Sequence, residues 1–239
     1  MTSSLDPAYV LHSRPYRDSS ALVDLLTLGQ GLQRVVWRGA RGQRRKLTPQ
    51  PFMPLLVGMT GRTELKTLTQ AEVAGSFALL QGEILFSGLY LNELLVRLLV
   101  GNDPQPMLFA AYQQALEQLA NGAAVEPLLR RFEWQLLDNL GYGFSLMEDA
   151  NGDPVDSRQR YVWHAADGLQ PVHDALLNNA GLPGAALLAM AADDWSAVST
   201  LRAAKQLMRQ ALGVQLGDRP LISRTLFVRQ TPSPKGEQQ

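Results

Sequence analysis

Cysteine is absent from the 239 residues, which removes disulfides, thiolate zinc sites, iron–sulfur clusters and cysteine nucleophiles together. Histidine is scarce: His12, His164 and His173 are the only three. None stands at the spacing that sets two imidazoles on one helical face, so no metal and no cofactor is expected. Long apolar runs are also missing. No stretch of about 18 residues is apolar enough to span a bilayer, and Met1 to Val10 lacks the basic flank and apolar centre of a signal peptide. A soluble, cytoplasmic chain with no membrane attachment is the expectation. Neither a Gly-x-x-x-x-Gly-Lys loop nor a Gly-x-Ser-x-Gly elbow occurs at Gly88 or Gly141 to Gly143. The acid pairs Asp153 with Asp156 and Asp193 with Asp194 stand in turn or helix-cap contexts. The chain is therefore not expected to be an enzyme.

What is present is an ordinary globular composition, 46% hydrophobic, with charge unevenly spread. The net charge is zero, yet residues 1–80 carry ten Lys/Arg against five Asp/Glu and residues 81–239 carry twelve against seventeen. Phosphate backbones respond to local rather than total charge, so the basic N-terminal part is the first pointer to nucleic acid.

The pattern along the chain divides near residue 80. Before it, Ala8 to Arg14 and Ala21 to Leu26 are β-compatible runs around the turn Pro15 to Ser20. Gly29-Gln30-Gly31 opens a third, Leu32 to Arg38, with Leu32, Arg34, Val36 and Arg38 on one side and Gln33, Val35 and Trp37 on the other. Phe52 to Met59 and Leu65 to Val73 complete five short strands, the signature of a small closed barrel of the oligonucleotide-binding (OB) type, with a β-sandwich fragment as the alternative. From residue 81 the spacing is helical. Ile84 to Leu99, Leu108 to Leu119 and Pro127 to Leu140 read as helices, Pro127 fitting a first turn. An irregular insert covers about 142–182, with a hairpin of Tyr161 to Trp163 and Leu169 to Val172 around Asp167-Gly168. Asp193 or Asp194 caps a final helix through Leu216, with Val198, Leu201, Ala204, Lys205, Met208 and Leu212 on one face. The expected class is thus α+β: an OB-fold barrel over 1–80 and a mostly helical domain over 81–239.

The segment Arg34-x3-Arg38-Gly39-Ala40-Arg41-Gly42-Gln43-Arg44-Arg45-Lys46 holds six cations and no acid. Glycines let the backbone approach a phosphate chain, and uncompensated cations on a strand and loop form the electrostatic footprint of nucleic-acid binding. Arg14 on the first strand joins this set, and a solvated loop is the plain alternative. Trp37 and Phe52 are aromatics that either stack on bases or fill the core. In the helical part, Arg130-Arg131-Phe132-Glu133-Trp134 and Leu201-Arg202-Ala203-Ala204-Lys205 set cations beside apolar or small residues, an arrangement that also occurs on any solvated helix.

A resemblance emerges from several segments in order. Ala8-Tyr9-Val10-Leu11-His12-Ser13-Arg14-Pro15-Tyr16, Arg38-Gly39-Ala40-Arg41, Gln50-Pro51-Phe52, Gly88-Leu89-Tyr90-Leu91-Asn92-Glu93-Leu94, Arg130 to Glu133 with Leu140 to Gly143, and Leu201 to Lys205 together resemble the RecO family of bacterial DNA repair proteins. The resemblance implies binding of single- and double-stranded DNA and annealing of complementary strands. It also implies contact with the acidic C-terminal tail of the single-stranded-DNA-binding protein, and partnership with RecR to load RecA. The tail-binding surface maps onto Arg130 or Arg131 and Arg202 with Lys205. Some family members carry a four-cysteine zinc module between the helices. Phe144 to Val172 has no cysteine here, so zinc does not carry over.

Two other classes fit parts of the pattern. One is an RNA-binding OB-domain factor, separated by its preference for RNA over DNA with duplexed ends. The other is a nuclease using Asp24, Glu64 and Asp153, separated by magnesium-dependent cleavage.

Overall fold

Turn punctuation divides the N-terminal part into β1 (Asp6–Tyr16), β2 (Ser20–Thr27), β3 (Gly31–Trp37), β4 (Pro54–Thr60) and β5 (Leu65–Val73). The computed structural model describes residues 5–42, 47–75, 79–172 and 181–228; Arg44, Arg45, Lys46 and His173 lie outside the described residues. The five strands close into a barrel in the order β1-β2-β3-β5-β4, with β3 and β5 parallel and the other neighbours antiparallel. This is the OB-fold that the strand spacing implied. Alternation drives it: Val10, Val23, Leu25, Val35, Leu55 and Val57 point inward and are essentially inaccessible. Gln33, Val35 and Trp37 share the inner side of β3, and Trp37 is half-buried against that core.

The helices α1 (Gly82–Leu98) and α2 (Pro106–Ala120) belong to the same compact unit as the barrel, Met1–Ala123, together with Pro220–Gln239, which carries α6 (Ser223–Val228). Strand pattern gives way to helix pattern near residue 80, but compactness divides the chain after Ala123 instead. The reason lies in α1. A Cβ at Gly88 would stand 2.9 Å from Leu80 and from two Phe52 ring atoms, so only glycine lets the helix approach this close. Phe52 is accordingly a buried packing residue, not a stacking platform. A bulge between Val10 and His12 turns the Leu11 carbonyl aside, and it accepts a hydrogen bond from Asn92 Nδ2 at 2.8 Å. Tyr112 Oη donates in turn to Asn92 Oδ1 at 2.6 Å. Glu93 accepts from the Ile222 and Ser223 amides and the Ser223 hydroxyl, tying α6 to α1.

The second unit, Ala124–Arg219, holds α3 (Val125–Asn139), the hairpin β6 (Arg160–His164) and β7 (Gly168–Pro171), β8 (Leu182–Pro183), α4 (Gly184–Ala191) and α5 (Val198–Leu216). The hairpin falls where Asp167-Gly168 placed it, within a three-stranded sheet β7-β6-β8. Two expectations need correction. Neither Asp193 nor Asp194 caps α5: its N-cap is Ala197, without a side-chain bond. Asp193 has a left-handed backbone (φ 56°) after α4, and Asp194 accepts from the Ser196 amide. The buried stripe of α5 is also rotated, running through Thr200, Ala203, Ala204, Leu207, Met208, Ala211 and Leu212, while Val198 and Lys205 are exposed. Alanine supplies much of that stripe because α3 and α4 pack closely on it.

Candidate nucleic-acid interface and partner groove

On the barrel, strand register arranges the candidate cations. His12, Asp24 and Arg34 form one row across β1, β2 and β3; Arg14, Leu22 and Val36 form the next. Both rows lie opposite the inward-facing Val23 and Val35, on the outer face of the sheet. Tyr16, Leu22, Asp24 and Arg34 from this face, Glu64 and Leu65 at the start of β5, and Val96 and Val100 near the end of α1 line a cleft of 540 Å³. In OB-folds this face and the flanking loops bind oligonucleotides.

The cations differ in their freedom. Arg34 Nε donates to Asp24 Oδ1 at 2.7 Å; the aspartate side chain is 8% exposed and the arginine 49%. The description of Arg34 as an uncompensated cation is therefore corrected: its counter-ion stands ten residues earlier, on the neighbouring strand. His12 Nδ1 lies 3.7 Å from the other carboxylate oxygen. Burial by itself raises the Asp24 carboxyl, but His12 and Arg34 outweigh it and hold the group below the ordinary aspartate value. Arg14, Arg38 and Arg41 are exposed, with no carboxylate within ion-pair distance among the described residues. The loop after β3 folds back on the β1–β2 turn: the Arg41 amide donates to the Ser19 carbonyl at 2.9 Å, and its Nη1 to the Arg17 carbonyl at 3.5 Å. This brings in Arg17, absent from the sequence expectations, whose guanidinium lies 5.3 Å from the centre of the Tyr16 ring. Its signal was available, since a cation in the first turn adjoins the next loop in any such barrel. Of the nuclease candidates, Asp24 and Glu64 line this cleft and Asp153 belongs to the second unit.

The second unit presents a groove of 680 Å³ with apolar walls from Trp134, Phe144, Leu146, Met147, Met190 and Met208. The aromatic rings continue into the hairpin: Phe144 packs on Trp134 at 4.8 Å and on Trp163 at 5.2 Å between centroids. Arg130 and Arg131 line it; Arg202 and Lys205 do not. Arg130 is nearly buried, 11% exposed, and serves as counter-ion to the inaccessible Glu133 carboxylate at 2.9 Å. Arg131 stands at the surface, bidentate on Asp193 through Nε at 2.6 Å and Nη2 at 3.1 Å. Trp195 Nε1 donates to the same carboxylate at 2.5 Å, and the guanidinium lies 5.6 Å from the indole centre. The Arg131 and Trp195 hydrogen bonds hold the Asp193 carboxyl below its ordinary value. Lys205 pairs with Glu126 at 3.3 Å, and Arg202 is exposed on α5.

Comparison with known proteins matches residues 1–77 to the family model "Recombination protein O N terminal" and residues 80–225 to "Recombination protein O C terminal". A DNA repair protein RecO of Pseudomonas paraeruginosa is 53% identical over 227 residues, covering 95% of this chain and 96% of that protein. One from Pseudomonas aeruginosa PAO1 shows the same identity and coverage. That of Stutzerimonas stutzeri is 51% identical over 232 residues, covering 96% and 95%.

Proposed function

The chain belongs to the RecO family of DNA repair proteins, and from that premise we propose that it is a non-catalytic recombination mediator of the cytoplasm. It binds single- and double-stranded DNA on the barrel, anneals complementary strands, and engages the acidic C-terminal tail of the single-stranded-DNA-binding protein through the helical unit. With RecR it then helps to load RecA on the strand so exposed. The observation that carries this reading is the outer face of β1–β3. Arg34 lines a cleft with apolar walls of Leu22, Leu65, Val96 and Val100 at the OB-fold's oligonucleotide position. Arg14 in the next row, with Arg38 and Arg41 in the loop after β3, adds exposed cations, which suits a backbone held by charge and bases held by apolar contact. Arg44, Arg45 and Lys46 continue the same basic segment in sequence.

The test is a salt series of single-strand binding followed by fluorescence anisotropy. Roughly four to six phosphate contacts at about 0.7 released ions each give a log–log slope of about −3 to −4. A slope near zero refutes electrostatic capture. Tighter binding to RNA than to DNA of equal length favours the RNA-binding reading instead.

A further inference from the structure

Three donors converge on one carboxylate at the mouth of the helical groove. Arg131 supplies Nε and Nη2, Trp195 supplies Nε1, and the acceptor is Asp193. A planar guanidinium with a third N–H beside it is a carboxylate receptor, and bidentate arginine pairs are the tightest form of such recognition. Apolar walls of Trp134, Phe144, Met147 and Met208 lie next to it. This combination fits a peptide end with an apolar side chain and a carboxylate, so the inference rests on the tail-binding reading above. Yet the receptor is already filled by a residue of the same chain. The Asp193 side chain is 62% exposed and Arg131 43%, so both are open to exchange with a carboxylate from solution. The situation at Asp24 is the opposite, because there the acid is buried beneath its arginine.

We propose that Asp193 is a built-in competitor in the groove, an internal carboxylate that occupies Arg131 until a ligand's carboxylate displaces it. Neutral apolar peptides fit the walls but leave the Arg131–Asp193 pair in place and gain nothing from it. An acidic peptide exchanges one carboxylate for another, and its apolar end then adds contact with the walls. The competition lowers affinity for every ligand that uses Arg131, and so keeps the contact with the partner reversible.

The experiment uses the full chain and a fluorescein-labelled synthetic peptide, Gly-Asp-Asp-Asp-Leu-Phe with a free C-terminal carboxylate, titrated by anisotropy. Asn tolerates the left-handed backbone at position 193 and keeps an acceptor for Trp195, so Asp193→Asn preserves the turn while weakening the competitor. An exposed ion pair is worth little, so Asp193→Asn is expected to tighten peptide binding by about three- to fivefold. In an Arg131→Ala background the same substitution is expected to change nothing. Wild-type binding with Asp193→Asn equal or weaker overturns the competitor role while leaving the tail-binding reading standing. If neither wild type nor Asp193→Asn binds the peptide, both readings fall.

Discussion

Arg34→Ala, alone and combined with Asp24→Asn, separates a paired cation from a free one. In the wild type the Arg34 guanidinium sits 2.7 Å from a carboxylate whose side chain is 8% exposed. Removing the arginine therefore does two things: it deletes one contact to the strand and leaves a buried acid with only His12 beside it, facing the same strand. A fully buried pair broken on one side costs about 3–5 kcal/mol, but Arg34 is half exposed and solvent screens its loss, so about 1 kcal/mol of stability is expected instead. For a unit of this size that shifts the melting temperature by about 2–4 °C. Loss of a charge-assisted contact, worth about 1.5–3 kcal/mol, lowers strand affinity by about ten- to a hundredfold. Adding Asp24→Asn removes the under-compensated acid and is expected to restore most of the melting temperature and part of the affinity. The assays are thermal unfolding and anisotropy with a labelled single strand at fixed salt. If the double variant melts and binds as the sum of the two single variants, the side chains act independently and the pairing argument is refuted.

Other outcomes follow from the same geometry. Arg38→Ala and Arg41→Ala each remove a cation without a carboxylate partner in the described residues, and each is expected to flatten the salt slope of strand binding by about 0.7, as read from the salt series. Gly88→Ala in mid-helix would ordinarily stabilise by up to about 1 kcal/mol. Here the new methyl meets Leu80 and Phe52 at 2.9 Å, so a net loss of about 1–3 kcal/mol in denaturant unfolding is expected. Asp24 has a lowered folded-state value, so its contribution is present above the unfolded carboxyl value of about 3.9 and is lost as pH falls through the lower folded value. The stability difference between wild type and Asp24→Asn is expected to hold from about pH 5 to 8 and shrink below about pH 4, as followed by thermal unfolding.

The barrel was legible in the sequence because five β-compatible runs follow one another with turn residues between them; the hairpin was legible because Asp167-Gly168 separates two such runs. Pairing was not. Asp24 and Arg34 are ten residues apart, and only strand register sets them side by side. The cap on α5 was misread because an acid ahead of an apolar period looks like a cap, whereas Asp193 is recruited by Arg131 and Trp195 from outside the helix. Ala204, Met208 and Leu212 of the expected α5 face are buried, but Val198 and Lys205 are not, because the stripe turns instead through Ala203 and Ala211, small residues that carry little apolar signal. The groove walls were beyond sequence reach, since they gather residues from α3, the segment after it, α4 and α5.

The central claim is that the barrel takes the strand and the helical unit takes the acidic tail. The most direct measurement is a crossed anisotropy titration of labelled single strand and labelled acidic peptide against an Arg38→Ala/Arg41→Ala variant and an Arg131→Ala variant. The first variant is expected to weaken strand binding and keep the peptide, the second to keep the strand and weaken the peptide. Loss of both ligands in either correctly folded variant, or strand binding unchanged in the first, contradicts the assignment.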